Sequence, residues 1–182
     1  NPIPAGSQYP AYLALSEEQW EEKLQRSREL ASPCVLCGRR CRALRFKLPK
    51  STGTVKRPAK GICETKDKAV VASVGPHFGE EPPLVGRRGS GTIFFTGCNL
   101  KCIFCQNYDI AHFHRGYKVS DEELSKIMLE VQELGCHNVN LVSPTHVVPN
   151  IIAAVRLAAK QGLKIPIVYN TGGYDSLETI KV

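Results

Sequence analysis

From Thr92 onward, strand and helix signals alternate three times at short spacing, and this alternation limits the fold more than any other feature of the chain. Thr92-Ile93-Phe94-Phe95-Thr96 is a run of β-formers. Ser120-Asp121-Glu122-Glu123 has the form of a capping box, leading into Leu124, Ile127, Met128, Val131 and Leu134 at helical spacing, with Gly135 as the stop. Residues 138–142 read as a second strand, 149–161 as a helix closed by Gly162, and 165–169 as a third strand. Asp175 and Glu178 read as a further capping box, opening a helix that the sequence barely begins. Strands joined in this way by helices require right-handed crossovers and a parallel sheet. Parallel strands send their outgoing loops to one face, where α/β sites are built. Convergence is therefore expected of the loop after the first strand, of Ser143-Pro144-Thr145-His146 after the second, and of Asn170-Thr171-Gly172-Gly173 after the third.

The first 91 residues are organised differently. Residues 1–15, rich in proline and tyrosine, are expected to be extended. Ser16-Glu17-Glu18-Gln19 is a capping box for a helix to about residue 31, with Trp20, Leu24 and Leu30 as its apolar stripe. Residues 32–81 show no strong period and are punctuated by Pro, Gly, Lys and Cys, so metal ligation is expected to hold them where a core does not. The division is an arm and helix (1–33), a cysteine-rich basic metal-binding segment (34–85) and the regular α/β part (86–182). No apolar run reaches the length of a membrane span and the N-terminus lacks the pattern of a secretion signal, so a soluble, cytoplasmic chain is expected. In that setting eight cysteines are metal or redox ligands before they are disulfides.

Three of them carry a specific pattern. Cys98, Cys102 and Cys105 stand in a C-x3-C-x2-C run directly after the first strand, and no fourth cysteine follows nearby. Three thiolates so placed bind three corners of a [4Fe–4S] cubane and leave one iron for an outside ligand, which then receives an electron directly. The alternative is a zinc knuckle completed by Cys136 or a histidine. Structural zinc favours paired C-x2-C units or a four-ligand Cys/His set, and this spacing fits it poorly.

These residues resemble the motif of the radical S-adenosylmethionine (SAM) superfamily. The wider string from Gly89 through Thr96-Gly97-Cys98 to Gln106-Asn107-Tyr108, together with Leu141-Val142-Ser143-Pro144-Thr145-His146 and Pro166-Ile167-Val168-Tyr169-Asn170, is similar to its pyruvate formate-lyase activating enzyme-like branch. The resemblance implies an α/β fold, the N-terminal part of a partial (β/α)6 barrel behind the small cysteine-rich segment. Three strands with an apolar edge imply in turn a longer barrel whose other half lies outside this sequence. It also implies an enzyme in which SAM chelates the open iron and is cleaved reductively to a 5′-deoxyadenosyl radical that abstracts hydrogen. In activating enzymes the hydrogen comes from a glycine of a partner protein. Phe104 is then expected near the adenine and Asn107 as a positioning residue, while Thr145 and Asn170 are candidate SAM contacts because topology brings them to the shared face. Ser143-Pro144-Thr145 departs from the Gly-Gly-Glu of the activating enzymes. A flavodoxin- or ferredoxin-type electron donor and a protein substrate are the implied partners, and no membrane.

The remaining cysteine group is Cys34-x2-Cys37-x3-Cys41 with Cys63 beyond. Four thiolates with a C-x2-C start suit zinc first and an auxiliary iron–sulfur cluster second. The net charge of +7 is local: nine of the 24 basic residues (Arg39, Arg40, Arg42, Arg45, Lys47, Lys50, Lys56, Arg57 and Lys60) lie between Cys34 and Cys63, and the other 15 are outnumbered by 17 acidic ones. A solvated loop is the default for such a segment, and docking of an acidic partner or RNA the alternative. A non-catalytic zinc-binding module that docks nucleic acid or protein through this segment is the competing function. The glycines of Gly86-Arg87-Arg88-Gly89-Ser90-Gly91 precede a strand and are expected to turn. His112 and His114 are expected in a polar loop, His146 as a proton donor or a helix cap, and Cys136 as a small buried residue.

Overall fold

The computed structural model describes residues 10–46 and 60–182. Lys47, Lys50, Lys56, Arg57 and the expected extended arm up to residue 9 lie outside the described residues. Helix α1 (Glu17–Leu30) begins with the complete Ser16/Gln19 capping box and buries Trp20, Leu24, Ser27 and Leu30. Strand β1 (Ala69–His77) is followed by a short turn of helix, α2 (Pro82–Val85), by β2 (Ser90–Phe95) and by α3 (Tyr108–Phe113). The chain continues through β3 (Tyr117–Val119), α4 (Asp121–Glu133), β4 (Val139–Val142), α5 (Val148–Lys160), β5 (Ile167–Asn170) and α6 (Leu177–Ile180).

The five strands form one sheet in the order β3-β1-β2-β4-β5. Strands β2, β4 and β5 are parallel, with Ile93 opposite Leu141 and Leu141 opposite Tyr169. This is the parallel core expected from the alternation. Strand β1 corrects the expectation that residues 32–81 lack regular structure. It pairs antiparallel with β2 through a bulge between Val71 and Ser73, and antiparallel with β3 on its other side. The sheet thus runs across residue 86.

Ala69, Val71, Ile93, Phe95, Val139 and Leu141 point from one face of the sheet into a core shared with Leu124, Met128 and Val131 of α4 and Ile151, Ala154, Val155 and Ala158 of α5. Leu124 and Met128 are completely buried, each side chain contributing about 2 kcal/mol of hydrophobic stabilisation. Helix α4 has both halves of the Ser120/Glu123 capping box and ends at Gly135 with φ +82°. Leu134, expected on its apolar stripe, is instead 61% exposed. Helix α1 lies against α5, where Arg156 reaches Glu17 and Glu21 and Lys160 reaches Glu17 at 2.8 Å. A smaller cluster of Leu30, Ala31, Cys34, Leu36 and Ala43 gives the cysteine-rich segment a core of its own.

The cap of α6 is Ser176, which accepts from the Thr179 N–H, and not Asp175 as the sequence pattern had it. Asp175 is taken by a tertiary contact: its carboxylate accepts from the Tyr169 hydroxyl at 2.7 Å and from the Thr171 hydroxyl. Among the described residues no helix is long and apolar enough to cross a membrane.

Candidate functional site

The cysteine loop leaves the carboxyl end of β2. It is tied down by its own backbone: the Gly97 N–H donates to the Ile110 carbonyl at 3.0 Å, the Cys98 N–H to Ala111 at 3.3 Å and the Cys105 N–H to Cys102 at 3.2 Å. Lys101 takes a left-handed conformation, φ +52°, so that the chain folds back on itself within the motif. The three thiols are half-buried, and Cys98 Sγ already accepts a hydrogen bond from the Leu100 N–H at 3.4 Å. A backbone N–H directed at sulfur is an arrangement that suits iron–sulfur ligation.

The other two loops meet it. Leu100 lies so close to Gly172 that a side chain at that glycine would collide with it. Ser143, left-handed at φ +59°, donates its N–H to the Asn170 carbonyl at 3.0 Å. Thr145 is buried and shares a 3.2 Å hydrogen bond with the Thr171 hydroxyl. Thr145, Thr171, Asp175 and Tyr169 thereby form one polar chain across the ends of β4 and β5. Burial, with the Asp175 carboxylate beside it, holds the Tyr169 phenol far above its ordinary range, so it stays protonated and donating. Thr171, Asp175 and Tyr169 were not among the expected site residues. The Asn170-Thr171-Gly172-Gly173 loop signal pointed towards Thr171, Tyr169 stood at the end of the third expected strand, and Asp175 was read as a helix cap.

Of the expected SAM contacts, Thr145 and the backbone of Asn170 are thus brought to one place. Phe104 stands at the loop tip, 86% exposed, next to Ile103 at 89%. Asn107 caps α3 without a side-chain cap bond and lines a pocket with Ser73, Phe94 and Tyr108.

The histidines separate by environment. His112 stacks on Tyr108 with ring centroids 4.0 Å apart and donates from Nε2 to the Cys102 carbonyl at 3.2 Å, fixing the cysteine loop from below. His114 lies 3.8 Å from Glu64. His146, expected as a proton donor or helix cap, is completely inside, its Nε2 donating to the Thr96 carbonyl at 2.8 Å. Burial pushes its pKa down to about 3, so the ring is neutral at physiological pH. Cys136 is buried in the main core, as a small apolar residue.

The four N-terminal cysteines sit beside this loop. Cys34, Cys37, Cys41 and Cys63 line one pocket with Asn99 and His146. The Gly38 N–H donates to the Tyr174 carbonyl at 3.0 Å and the Ser176 N–H to Leu36 at 3.0 Å, joining the segment to the loop after β5. Burial raises the Cys34 thiol to about 11 and lifts Cys37 as well, the expected behaviour of thiols away from water. Among the described residues no three Cys, His, Asp or Glu side chains gather closely enough to hold a single metal ion.

Three of the described cations of the basic segment are engaged within the chain. Arg39 spends its guanidinium on the Asn99 and Leu100 carbonyls, at 3.1 and 3.0 Å, and buried Arg45 on the Lys66 carbonyl, at 2.9 Å. Lys60 pairs with Glu64 at 3.6 Å. These three cations hold the cysteine segment in place.

The Radical SAM superfamily profile matches residues 92–182, half of the chain, and covers β2 from Thr92, the C-x3-C-x2-C loop, β4 and β5. The chain therefore belongs to the radical SAM superfamily, whose members are generally enzymes that use SAM and a [4Fe–4S] cluster. Among curated proteins it is similar to uncharacterized protein MJ0674 of Methanocaldococcus jannaschii, 28% identical over 165 residues, a match covering 86% of this chain and 43% of that protein. The chain thus spans less than half the length of this curated relative. No solved structure matches it.

Proposed function

We propose that this chain carries the cluster- and SAM-binding part of a radical SAM enzyme of the glycyl-radical activating kind, with β2, β4 and β5 as strands of a partial (β/α)6 barrel. Cys98, Cys102 and Cys105 hold a [4Fe–4S] cluster with one iron open to SAM. The observation that carries the reading is the position of this loop: it leaves the carboxyl end of the first parallel strand and is met there by the loops of the next two. The residues fit the group, because three half-buried thiols in one short loop, one of them already accepting a backbone N–H, are a donor set for three irons.

When bound, SAM supplies a 5′-deoxyadenosyl radical that removes hydrogen from a C–H bond. The chain's own residues prepare for that. Leu100 N–H and the His112 bond to the Cys102 carbonyl fix the thiols. Thr145, Asn170 and the Tyr169–Asp175–Thr171 chain offer hydroxyl and amide groups at the ends of β4 and β5, where the polar groups of SAM are held. Phe104, exposed at the loop tip, has an apolar face for the adenine, and Asn107 at the start of α3 is the positioning residue. The electron comes from a flavodoxin- or ferredoxin-type donor in the cytoplasm, and the substrate is a C–H bond of the kind found in a protein glycine. Low-temperature paramagnetic resonance of the reduced, cluster-loaded protein tests the reading. SAM is expected to change the cluster spectrum of the native chain, and an identical spectrum with and without SAM would reject it.

A further inference from the structure

The segment ahead of the sheet grips the cysteine loop by its backbone. Arg39, an exposed residue two positions after Cys37, donates from Nε to the Asn99 carbonyl at 3.1 Å and from Nη2 to the Leu100 carbonyl at 3.0 Å. Its guanidinium also lies over the Tyr174 ring, 5.9 Å from the centroid, and the same ring fills the space beside Gly38. Arg39 lies outside residues 92–182, the part of the chain that matches the family. A guanidinium fork on two successive carbonyls is a geometry that a lysine cannot reproduce.

What the fork holds is a peptide group that faces a thiol of the triad. The Asn99 carbonyl and the Leu100 N–H belong to one planar trans unit and point to opposite sides of it. Arg39 therefore takes hold of one end, while the other end donates to Cys98 Sγ at 3.4 Å. A cationic donor on the carbonyl polarises the unit and strengthens its N–H as a donor, since hydrogen bonds in a chain reinforce one another. Leu100 is fixed by its side chain as well, which packs on Gly172 of the loop after β5 so closely that a Cβ there would collide with it. The Asn99–Leu100 peptide is thus held at its carbonyl, at its N–H and at the side chain beyond.

We propose that Arg39 is a positioning residue for the cluster on Cys98, Cys102 and Cys105: through the Asn99–Leu100 peptide it directs an N–H at the Cys98 sulfur and raises the reduction potential of the cluster. The inference rests on the assignment of that triad as the cluster ligands. Reduction adds negative charge, and an N–H aimed at a ligand sulfur stabilises the more negative state. The guanidinium charge acts in the same direction. Fork and charge are separable, because lysine keeps the charge and loses the two-pronged grip.

The test is a redox titration of the full, anaerobically cluster-loaded chain, following the paramagnetic signal that SAM changes. Arg39→Gln is expected to make reduction about tenfold less favourable, a potential ~59 mV lower for one electron. Arg39→Lys is expected to recover only part of that shift. A reduction equilibrium in Arg39→Gln within about twofold of the native one would overturn the proposal, even with a lowered Tm, because an arginine that only packs the N-terminal segment moves stability and not potential. Full recovery by Arg39→Lys would overturn it equally, since the fork would then have no role. A native chain with no SAM-responsive signal would remove the cluster assignment and the proposal together, whereas a native signal with an unmoved potential removes the proposal alone.

Discussion

Replacing Gly97 by Ala tests how tightly the two cysteine sets are joined. Gly97 has φ +80°, and a Cβ there would lie 2.5 Å from the Cys63 carbonyl oxygen and 2.5 Å from the His114 ring. The left-handed backbone costs a residue with a Cβ about 1.5 kcal/mol. Relieving a contact with a backbone carbonyl requires a shift of nearly an ångström in a packed region, at roughly 2 kcal/mol. Alanine returns about 0.5 kcal/mol by restricting the unfolded chain. The net loss is about 3 kcal/mol, or roughly 9 °C in Tm for a chain of this size. Gly162 is the control: it is also left-handed, at φ +100°, but nothing lies within 4 Å of an added Cβ, so Gly162→Ala should cost only about 1 kcal/mol. Urea unfolding of the anaerobic, iron-loaded protein gives both numbers, and iron analysis gives a second readout. Gly97→Ala is expected to lose iron, whereas Gly162→Ala keeps it. Equal destabilisation of the two variants with full iron in both would refute the packing of Cys63 on Gly97.

Two further outcomes follow from the core and from one half-buried carboxylate. Met128 is completely buried between α4 and the sheet, and Met128→Ala is expected to cost about 3 kcal/mol in urea unfolding; a loss under about 1 kcal/mol would contradict that packing. Burial holds the Asp121 carboxyl above the usual carboxylate range, against an opposing hydrogen bond from Asn150 at 2.9 Å. A carboxyl raised on folding adds stability while protonated and loses it as pH rises through its folded pKa. Wild type should therefore lose stability relative to Asp121→Asn as pH rises above the ordinary carboxylate range, and superimposable Tm profiles against pH would contradict the burial of that charge.

What was legible in the sequence was local. The capping boxes at Ser16 and Ser120 and the stops at Gly135 and Gly162 appear where the pattern put them, because each is decided by atoms a few residues apart. Strand β1 escaped notice because Gly75 and Pro76 close its short run of valines and a bulge breaks its alternation, so only pairing with β2 and β3 makes it a strand. The cap at α6 was misplaced by one residue because Asp175 answers to Tyr169 and Thr171 before it answers to the helix. The C-x3-C-x2-C loop and its meeting with the loops after β4 and β5 could be read from topology. That Cys34 to Cys63 pack behind it could not, since the contact depends on Arg39 reaching carbonyls 60 and 61 residues away.

The most direct measurement is 5′-deoxyadenosine released per cluster when the anaerobically loaded protein is reduced with dithionite in the presence of SAM. Release that persists in the native chain and vanishes with Cys98→Ala, Cys102→Ala or Cys105→Ala is the predicted result. No deoxyadenosine from a fully cluster-loaded sample, or undiminished release without the three thiols, would contradict the assignment of the C-x3-C-x2-C loop as the radical-generating site.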